Sequence, residues 1–311
     1  MSQYYAESSR KNVVSHLRQL STFCVAFNQS FLTVSRESLL GFVELMSRSC
    51  GYNHIQHILG SIRFLHLFTN NPFPGDSFEF NVLLKGLKRK LAKPARQVLP
   101  ITPEMLILMY QFVNLDSPYE LAHWTSFIFA LRLLYRKSSI APESLSKFNS
   151  TTGLSREKIV YVHGTVLVYQ NHSKTNQFMS STRVIPLVRS HIKALDPVSH
   201  YERLLRENPV DKNYPAFSFL QNGRISCVTH RTFTAFLKQL LRRIGLDPDK
   251  WSGHSFRRGG ASLLYRLGVD PLTIQAVGDW SSDTFLRYLE LNFDRLWSAQ
   301  HVMASFACTS I

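Results

Sequence analysis

One stretch near the C-terminus combines residue types that can hold and attack a phosphodiester. It reads GHSFRRGG over residues 253–260 and is followed at a distance by Trp280 and Tyr288. His254 and Arg257 are three residues apart, so they share one face of a predicted helix. A guanidinium binds two phosphate oxygens at once, and an imidazole exchanges a proton near neutral pH. The pattern therefore indicates a site for phosphodiester chemistry.

The short pattern does not stand alone, because an isolated His-x-x-Arg is usually a core histidine beside a surface arginine. Its spacing also leaves Arg257 and Arg258 as alternatives, since position i+4 is as close as i+3. The residues that follow add to it. Trp280 supplies an indole donor within VGDWSS, and Tyr288 supplies a hydroxyl that can act as a nucleophile.

The order of these residues resembles the tyrosine recombinase (phage integrase) family. In that family H-x-x-R is followed by a His or Trp after a Gly, and then by the nucleophilic Tyr. The sequence of residues 253–261 is most similar to the corresponding motif of recombinases from eukaryotic mobile elements, the Crypton and DIRS-like groups. The resemblance implies DNA cleavage and rejoining through a 3′-phosphotyrosine, with catalytic roles for His254, Arg257, Trp280 and Tyr288.

The resemblance also implies two catalytic cations earlier in the chain. Arg136, in RKSSI, fits the expected arginine at the end of a long helix, with Arg132 as its competitor. Lys174, in SKTNQ, fits the expected lysine on a turn of a small sheet, and Lys137 and Lys158 are weaker candidates. Many family members carry an acid three residues after the arginine, where this chain has a serine.

Composition favours a polyanionic partner. The 311 residues carry a net charge of +15, and the excess of Lys and Arg is spread over both halves. Such a charge favours nucleic acid, here double-stranded DNA. Four scattered cysteines fit a reducing compartment. No apolar run is long enough to predict a membrane span, and no pattern predicts a metal or another cofactor.

Hydrophobic periodicity predicts a mainly α fold in two domains. The prediction is an N-terminal helical core-binding bundle over residues 1–93, a basic linker over 94–101, and a mostly helical catalytic domain with a C-terminal helix over 102–311. Bundle helices are predicted near 10–28, from Ser35, over 53–68 and over 81–91. Helices near 103–114, 119–135, 190–206, 254–267 and 283–306 and a small antiparallel β-sheet at 158–162, 164–169 and 183–187 belong to the catalytic domain.

Basic residues near the linker are predicted to bind DNA phosphates. They are Lys85, Lys88, Arg89, Lys90, Lys93 and Arg96, to which Arg258 is added from the catalytic domain. The alternative for the basic run is a solvated helix face followed by a linker.

The apolar C-terminal stretch from Leu289 to Phe306 predicts either docking on its own domain or self-association to a dimer or tetramer on DNA. Two rival functions remain open at this point: a type IB topoisomerase, and a catalytically inactive DNA-binding protein derived from a recombinase. Ser139 in place of the acid keeps the second rival open. If the chain comes from a eukaryotic mobile element, the nucleus is the expected compartment, and otherwise the cytoplasm.

Overall fold

The computed structural model describes residues 7–91, 98–171 and 182–288, together with residues 297, 300 and 303. The chain divides into two compact units, residues 1–96 and 97–311. Within the described residues the fold is mainly α with small antiparallel sheets, which confirms the predicted fold class. None of the described helices is both long enough and apolar enough to cross a lipid bilayer.

The first unit is a bundle of four helices. They are α1 (Glu7–Ala26), α2 (Arg36–Ser47), α3 (Tyr52–Phe68) and α4 (Phe78–Leu91). The Ser35 hydroxyl accepts a hydrogen bond from the Ser38 amide and so caps α2, as the sequence predicts. Leu20, Ile62 and Phe80 lie in a core shared by the helices.

The helices of the second unit surround one almost completely buried helix, α6. In chain order they are α5 (Pro103–Tyr110), α6 (Pro118–Arg132), α7 (Lys137–Ile140), α8 (Pro197–Glu207), α9 (His230–Arg243), α10 (His254–Arg266) and α11 (Pro271–Gly278). Every residue of α6 from Leu121 to Leu131 is buried. Thr102 caps α5 by accepting from the Met105 amide. The predicted helix over 190–206 begins only at Pro197, since Asp196 caps it there.

Two antiparallel sheets complete the second unit. The first has the strand order β1 (Ile159–Val162), β2 (Thr165–Gln170) and β3 (Arg183–Leu187), with Val168 opposite both Ile159 and Ile185. This is the predicted small sheet. The second, a hairpin of β4 (Ser218–Gln221) and β5 (Arg224–Cys227), was not among the predicted elements.

Two glycines bring α10 close to its neighbours. A Cβ atom at Gly259 would lie 1.8 Å from the Ile101 carbonyl oxygen, and one at Gly260 would lie 2.3 Å from the Leu131 carbonyl oxygen. Only residues without a side chain allow backbones to approach this closely. The Gly-Gly pair after Arg258 therefore lets α10 pack closely against both the segment before α5 and the end of α6.

The C-terminal region differs in detail from the prediction of helices over 283–306. Residues Asp283–Tyr288 form a 3₁₀ helix rather than an α-helix. Most of the stretch from Leu289 to Phe306 lies outside the described residues, apart from helical positions 297, 300 and 303.

Candidate active site

His254 and Tyr288 meet directly in the second unit. His254 is the first residue of α10, and Tyr288 is the last residue of the 3₁₀ helix. The Nε2 atom of His254 lies 2.6 Å from the Tyr288 hydroxyl oxygen. The Ser262 hydroxyl, two turns further along α10, donates a hydrogen bond to the Tyr288 carbonyl. The tyrosine is thus held at both its backbone and its phenol.

Arg257 lies buried one turn after His254, with only 2% of its surface exposed. Its Nη1 atom donates to the Leu134 carbonyl, and Leu134 itself has the left-handed φ of 54°. The Nε and Nη2 atoms of Arg257 have no hydrogen-bond partner among the described residues. A buried donor without a partner costs about 1–3 kcal/mol, and more if charged. These two donors are therefore suited to an anionic ligand.

Trp280 covers the guanidinium of Arg257. The Cζ atom of Arg257 lies 3.7 Å from the centre of the indole ring, which is cation–π geometry. The ring also packs against Phe285 and Tyr288, with centroid separations of 5.7 and 5.9 Å. A Cβ atom at Gly278 would lie 1.6 Å from the indole, so only glycine permits this placement.

Burial and positive neighbours favour a neutral His254. Desolvation, followed by the charges of Arg257, Arg136 and Arg258, lowers the pKa of His254 below its ordinary value. A neutral imidazole can accept the proton of the Tyr288 phenol through Nε2. Desolvation and the charge of Arg136 also lower the pKa of Arg257. Binding an anion here would relieve that repulsion between cations.

Arg136 lies at the N-terminus of α7, close enough for its charge to act on both His254 and Arg257. The start of α7 packs on the start of α10, because a Cβ atom at Gly253 would be 2.9 Å from the Lys137 Cβ atom. The competitor Arg132 instead directs its Nη2 atom to the Val188 carbonyl at 3.4 Å. Position thus favours Arg136 as the second cation of the site.

The structure does not identify the catalytic lysine among the three candidates Lys174, Lys158 and Lys137. Lys174 falls in the segment 172–181, which the structure does not describe. The Lys158 ammonium donates to the carbonyls of Thr151 and Gly153, at 2.7 and 2.8 Å, so it holds a loop. The Nζ atom of Lys137 lies 3.4 Å from the Thr234 hydroxyl oxygen, to which it donates a hydrogen bond.

The predicted DNA-contacting residues fall into three groups. Lys85, Lys88, Arg89 and Lys90 are exposed on α4, whereas Lys93 and Arg96 lie outside the described residues. Arg258 differs, because it is 9% exposed and its Nη1 atom donates to the Val98 carbonyl at 2.9 Å. The geometry therefore separates the two adjacent arginines: Arg257 faces Trp280, and Arg258 anchors the start of the second unit.

Sequence reasoning missed Arg183 and Asp279 as parts of this site. Arg183 begins β3 and contacts the turn that carries Trp280, where Asp279 adopts the left-handed φ of 55°. Asp279 precedes Trp280 and follows Gly278 in the sequence, which is the only local signal for a turn there. Nothing in the sequence pairs it with Arg183.

The second unit thus brings the Tyr288 hydroxyl, the His254 imidazole and the buried Arg257 guanidinium together, with the charge of Arg136 close by. Such an arrangement is suited to phosphodiester chemistry through a tyrosine.

Comparison with known proteins extends this assignment. Residues 147–295 match the Phage integrase family. The chain is 19% identical over 298 residues to an integrase/recombinase XerD homologue of Selenomonas ruminantium, covering 92% of this chain and 82% of that protein. It is 22% identical over 312 residues to the recombinase Cre of Escherichia phage P1, covering 94% and 86%.

A solved structure of the Tn1549 transposon integrase in complex with transposon right end DNA shares the fold. The TM-score is 0.62 at 12% identity, and the alignment covers 97% of this chain and 95% of that one. The segment that matches the Phage integrase family, residues 147–295, contains His254, Arg257, Trp280 and Tyr288. Arg136 precedes the matched segment.

Proposed function

We propose that this chain cleaves and rejoins DNA strands at specific sites through a covalent tyrosine intermediate. One observation carries the proposal: the Tyr288 hydroxyl is hydrogen-bonded to His254 beside a buried guanidinium with two donors to spare. The family match and the similarity to recombinases over nearly the whole chain support the same activity.

In the proposed cleavage step, the Tyr288 oxygen attacks the scissile phosphorus while its proton passes to Nε2 of His254. A bond forms between the phenolic oxygen and phosphorus, and the bond from phosphorus to the 5′ oxygen breaks, which leaves a 3′-phosphotyrosine. The leaving oxygen takes a proton from Lys174. Rejoining is the reverse attack by a 5′ hydroxyl. Because the phosphotyrosine retains the energy of the phosphodiester, no nucleotide cofactor is needed.

Arg257 and Arg136 neutralise the charge that develops on the non-bridging oxygens. Fixed donors of this kind contribute about 3–4 kcal/mol each to transition-state stabilisation. Trp280 stacks on the face of the Arg257 guanidinium and thereby fixes the plane in which Nε and Nη2 donate. We propose that the indole, while stacked on Arg257, donates its N–H to a non-bridging oxygen.

Double-stranded DNA is the proposed substrate. The exposed basic face of α4, with Lys85, Lys88, Arg89 and Lys90, supports phosphate contacts by the first unit acting as a core-binding domain. Lys93 and Arg96 extend this basic run into the proposed linker. The logarithm of DNA affinity falls linearly with the logarithm of salt concentration, and the steepness of this line should decrease by about 0.9 for each phosphate contact removed. Substituting Lys88 and Arg89 together therefore should lower the slope without abolishing cleavage at saturating enzyme.

We propose further that recombination proceeds in a tetramer on two duplexes. The stretch from Leu289 to Phe306 would pack on a neighbouring subunit. Deleting residues 292–311 should abolish assembly of paired sites and spare binding to a single site. Simultaneous loss of both would contradict packing in trans.

We propose that the chain is encoded by a mobile element of the Crypton or DIRS-like kind, because the sequence of residues 253–261 resembles the recombinases of those elements. The nucleus is then the proposed compartment, and a fluorescent fusion that stays outside the nucleus would contradict it.

A nicked suicide substrate tests the proposed activity. Wild-type protein should form a covalent adduct with one DNA end, and exchange of paired sites should follow on intact duplexes. Relaxation of supercoiled DNA without paired sites would instead support a topoisomerase. DNA binding with no adduct would support an inactive derivative.

A further inference from the structure

We propose that Arg183 is a positioning residue for strand cleavage: together with Asp279 it fixes the turn that sets Trp280 against Arg257. This inference rests on the proposed function of the same site. It assigns a role to two residues that are not among the catalytic candidates predicted from the sequence.

Arg183 makes two contacts with the turn. Its Nη2 atom donates to the Val277 carbonyl at 2.8 Å, and its Nη1 atom lies 3.1 Å from Oδ1 of Asp279. The two side chains are 25% and 22% exposed, so the pair is largely shielded from water. Shielding and the additional hydrogen bond to the Val277 carbonyl distinguish the Arg183–Asp279 ion pair from solvent-exposed pairs, which contribute about 0–1 kcal/mol. The first residue of β3 is thereby tied to the C-terminus of α11.

The turn needs such a tie because its backbone is unfavourable. Asp279 ends α11 with φ of 55° and ψ of 53°, a left-handed conformation that costs a residue with a side chain about 1–2 kcal/mol. The amides of Asp279 and Trp280 close the turn on the carbonyls of Ala276 and Gln275, each at 3.2 Å. The direction in which the chain leaves this turn decides where the indole lies.

Both members of the pair act on the catalytic residues at short range. The charges of Arg183 and Asp279 both reach the guanidinium of Arg257. They also reach Tyr135, which is buried directly before Arg136. The pair therefore lies where β3, the Trp280 turn and the Arg136 segment meet, and loosening it would move Trp280 relative to both arginines.

Single-turnover cleavage of a suicide duplex by the full chain measures the effect. Arg183→Ala and Asp279→Asn should each slow adduct formation by about tenfold or more, since small misplacements of a site residue have effects of this size. Affinity for the uncleaved duplex should change less than about twofold, because the pair contributes no phosphate contact. Asparagine tolerates the left-handed conformation, so Asp279→Asn removes the charge while keeping the fold.

Arg189→Ala is the matched control. Arg189 lies two residues after β3 and forms an ion pair with Glu202 at 2.8 Å, so this variant loses the same charge at a different place. Its cleavage rate should equal that of the wild type. Arg183→Lys, which keeps the ion pair and loses the fork of donors, should recover part of the rate.

A double-mutant cycle with Trp280→Ala separates positioning from general stabilisation. If Arg183 acts through Trp280, Arg183→Ala should cause no further loss of rate in the Trp280→Ala background. Additive losses, or wild-type rates for both Asp279→Asn and Arg183→Ala, would overturn the inference. A wild-type protein that forms no adduct would instead overturn the proposed function, so the two failures are distinguishable.

Discussion

The Nε2 atom of His254 lies 2.6 Å from the hydroxyl oxygen of Tyr288, which joins the first residue of α10 to the last residue of a 3₁₀ helix. The contact places a proton acceptor on the phenol before any substrate is bound. The imidazole of His254 should be neutral, because burial and three nearby guanidiniums oppose a positive charge on the ring and lower its pKa. The proposed reaction depends on this pair.

The lowered pKa of His254 predicts the pH dependence of cleavage. The group is active as the neutral base, so activity should be full at pH 7–8 and fall as the imidazole is protonated. The midpoint should lie below about 6.5, the ordinary value for histidine. Single-turnover rates at subsaturating DNA report the free enzyme. A midpoint above 6.5, or the same acid limb in a His254→Gln variant, would contradict the assignment.

Arg257 and Arg258 should respond differently to the same substitution. Arg257→Lys loses the forked donors and should slow cleavage by about 10²–10³-fold, with DNA binding retained. Arg258→Lys should lose mainly stability, since Arg258 bonds the Val98 carbonyl, and its cleavage rate should stay within about tenfold of the wild type. Adduct yield and melting temperature, measured on both variants, check this. Equal cleavage defects would argue against the distinction.

Gly259→Ala should disrupt the second unit. The new Cβ atom would lie 1.8 Å from the Ile101 carbonyl oxygen, and backbone atoms cannot move aside as a flexible side chain can. We expect a loss of more than about 3 kcal/mol in the free energy of unfolding. Gly60→Ala in α3 is the control, because nothing lies within 4 Å of its Cβ position. That variant should be stabilised by about 0.5–1 kcal/mol, and urea unfolding would reveal both effects.

Buried His123 should make the second unit acid-sensitive. Its side chain is fully buried, and desolvation lowers its pKa to about 4. Because the folded-state pKa is depressed, the stabilising contribution is complete above pH 6.5 and is lost as pH falls towards 4. The loss should reach about 3 kcal/mol. Between pH 7 and pH 4.5, the free energy of unfolding measured in urea should decrease less for His123→Phe than for the wild type. An identical decrease in both proteins would show that His123 does not cause the acid sensitivity.

Local patterns predicted much of this fold. Apolar periodicity located the helices of the first unit, and the cap at Thr102 and proline at 103 located the start of α5. The hairpin of β4 and β5 was missed, although Asn222-Gly223 between two short apolar runs is a hairpin signal. Both residues have positive φ, 52° and 72°, as such a turn requires.

The site was predictable only where its residues are close in sequence or follow a family order. His254, Arg257, Trp280 and Tyr288 were found in this way, and the structure brings them together. The choice between Arg257 and Arg258 required the packing of α10, which two adjacent helix positions do not reveal. The pair of Arg183 and Asp279 required a contact between elements far apart in the chain, for which the sequence carries no local pattern.

The most direct test of the account is to map the covalent bond between protein and DNA. After reaction with a suicide duplex and digestion, mass spectrometry should find one tryptic peptide joined to a nucleotide through the Tyr288 oxygen, at a 3′ phosphate. Tyr288→Phe should bind the same duplex with unchanged affinity and give no adduct. An adduct at another residue, or one that survives in Tyr288→Phe, would contradict the account.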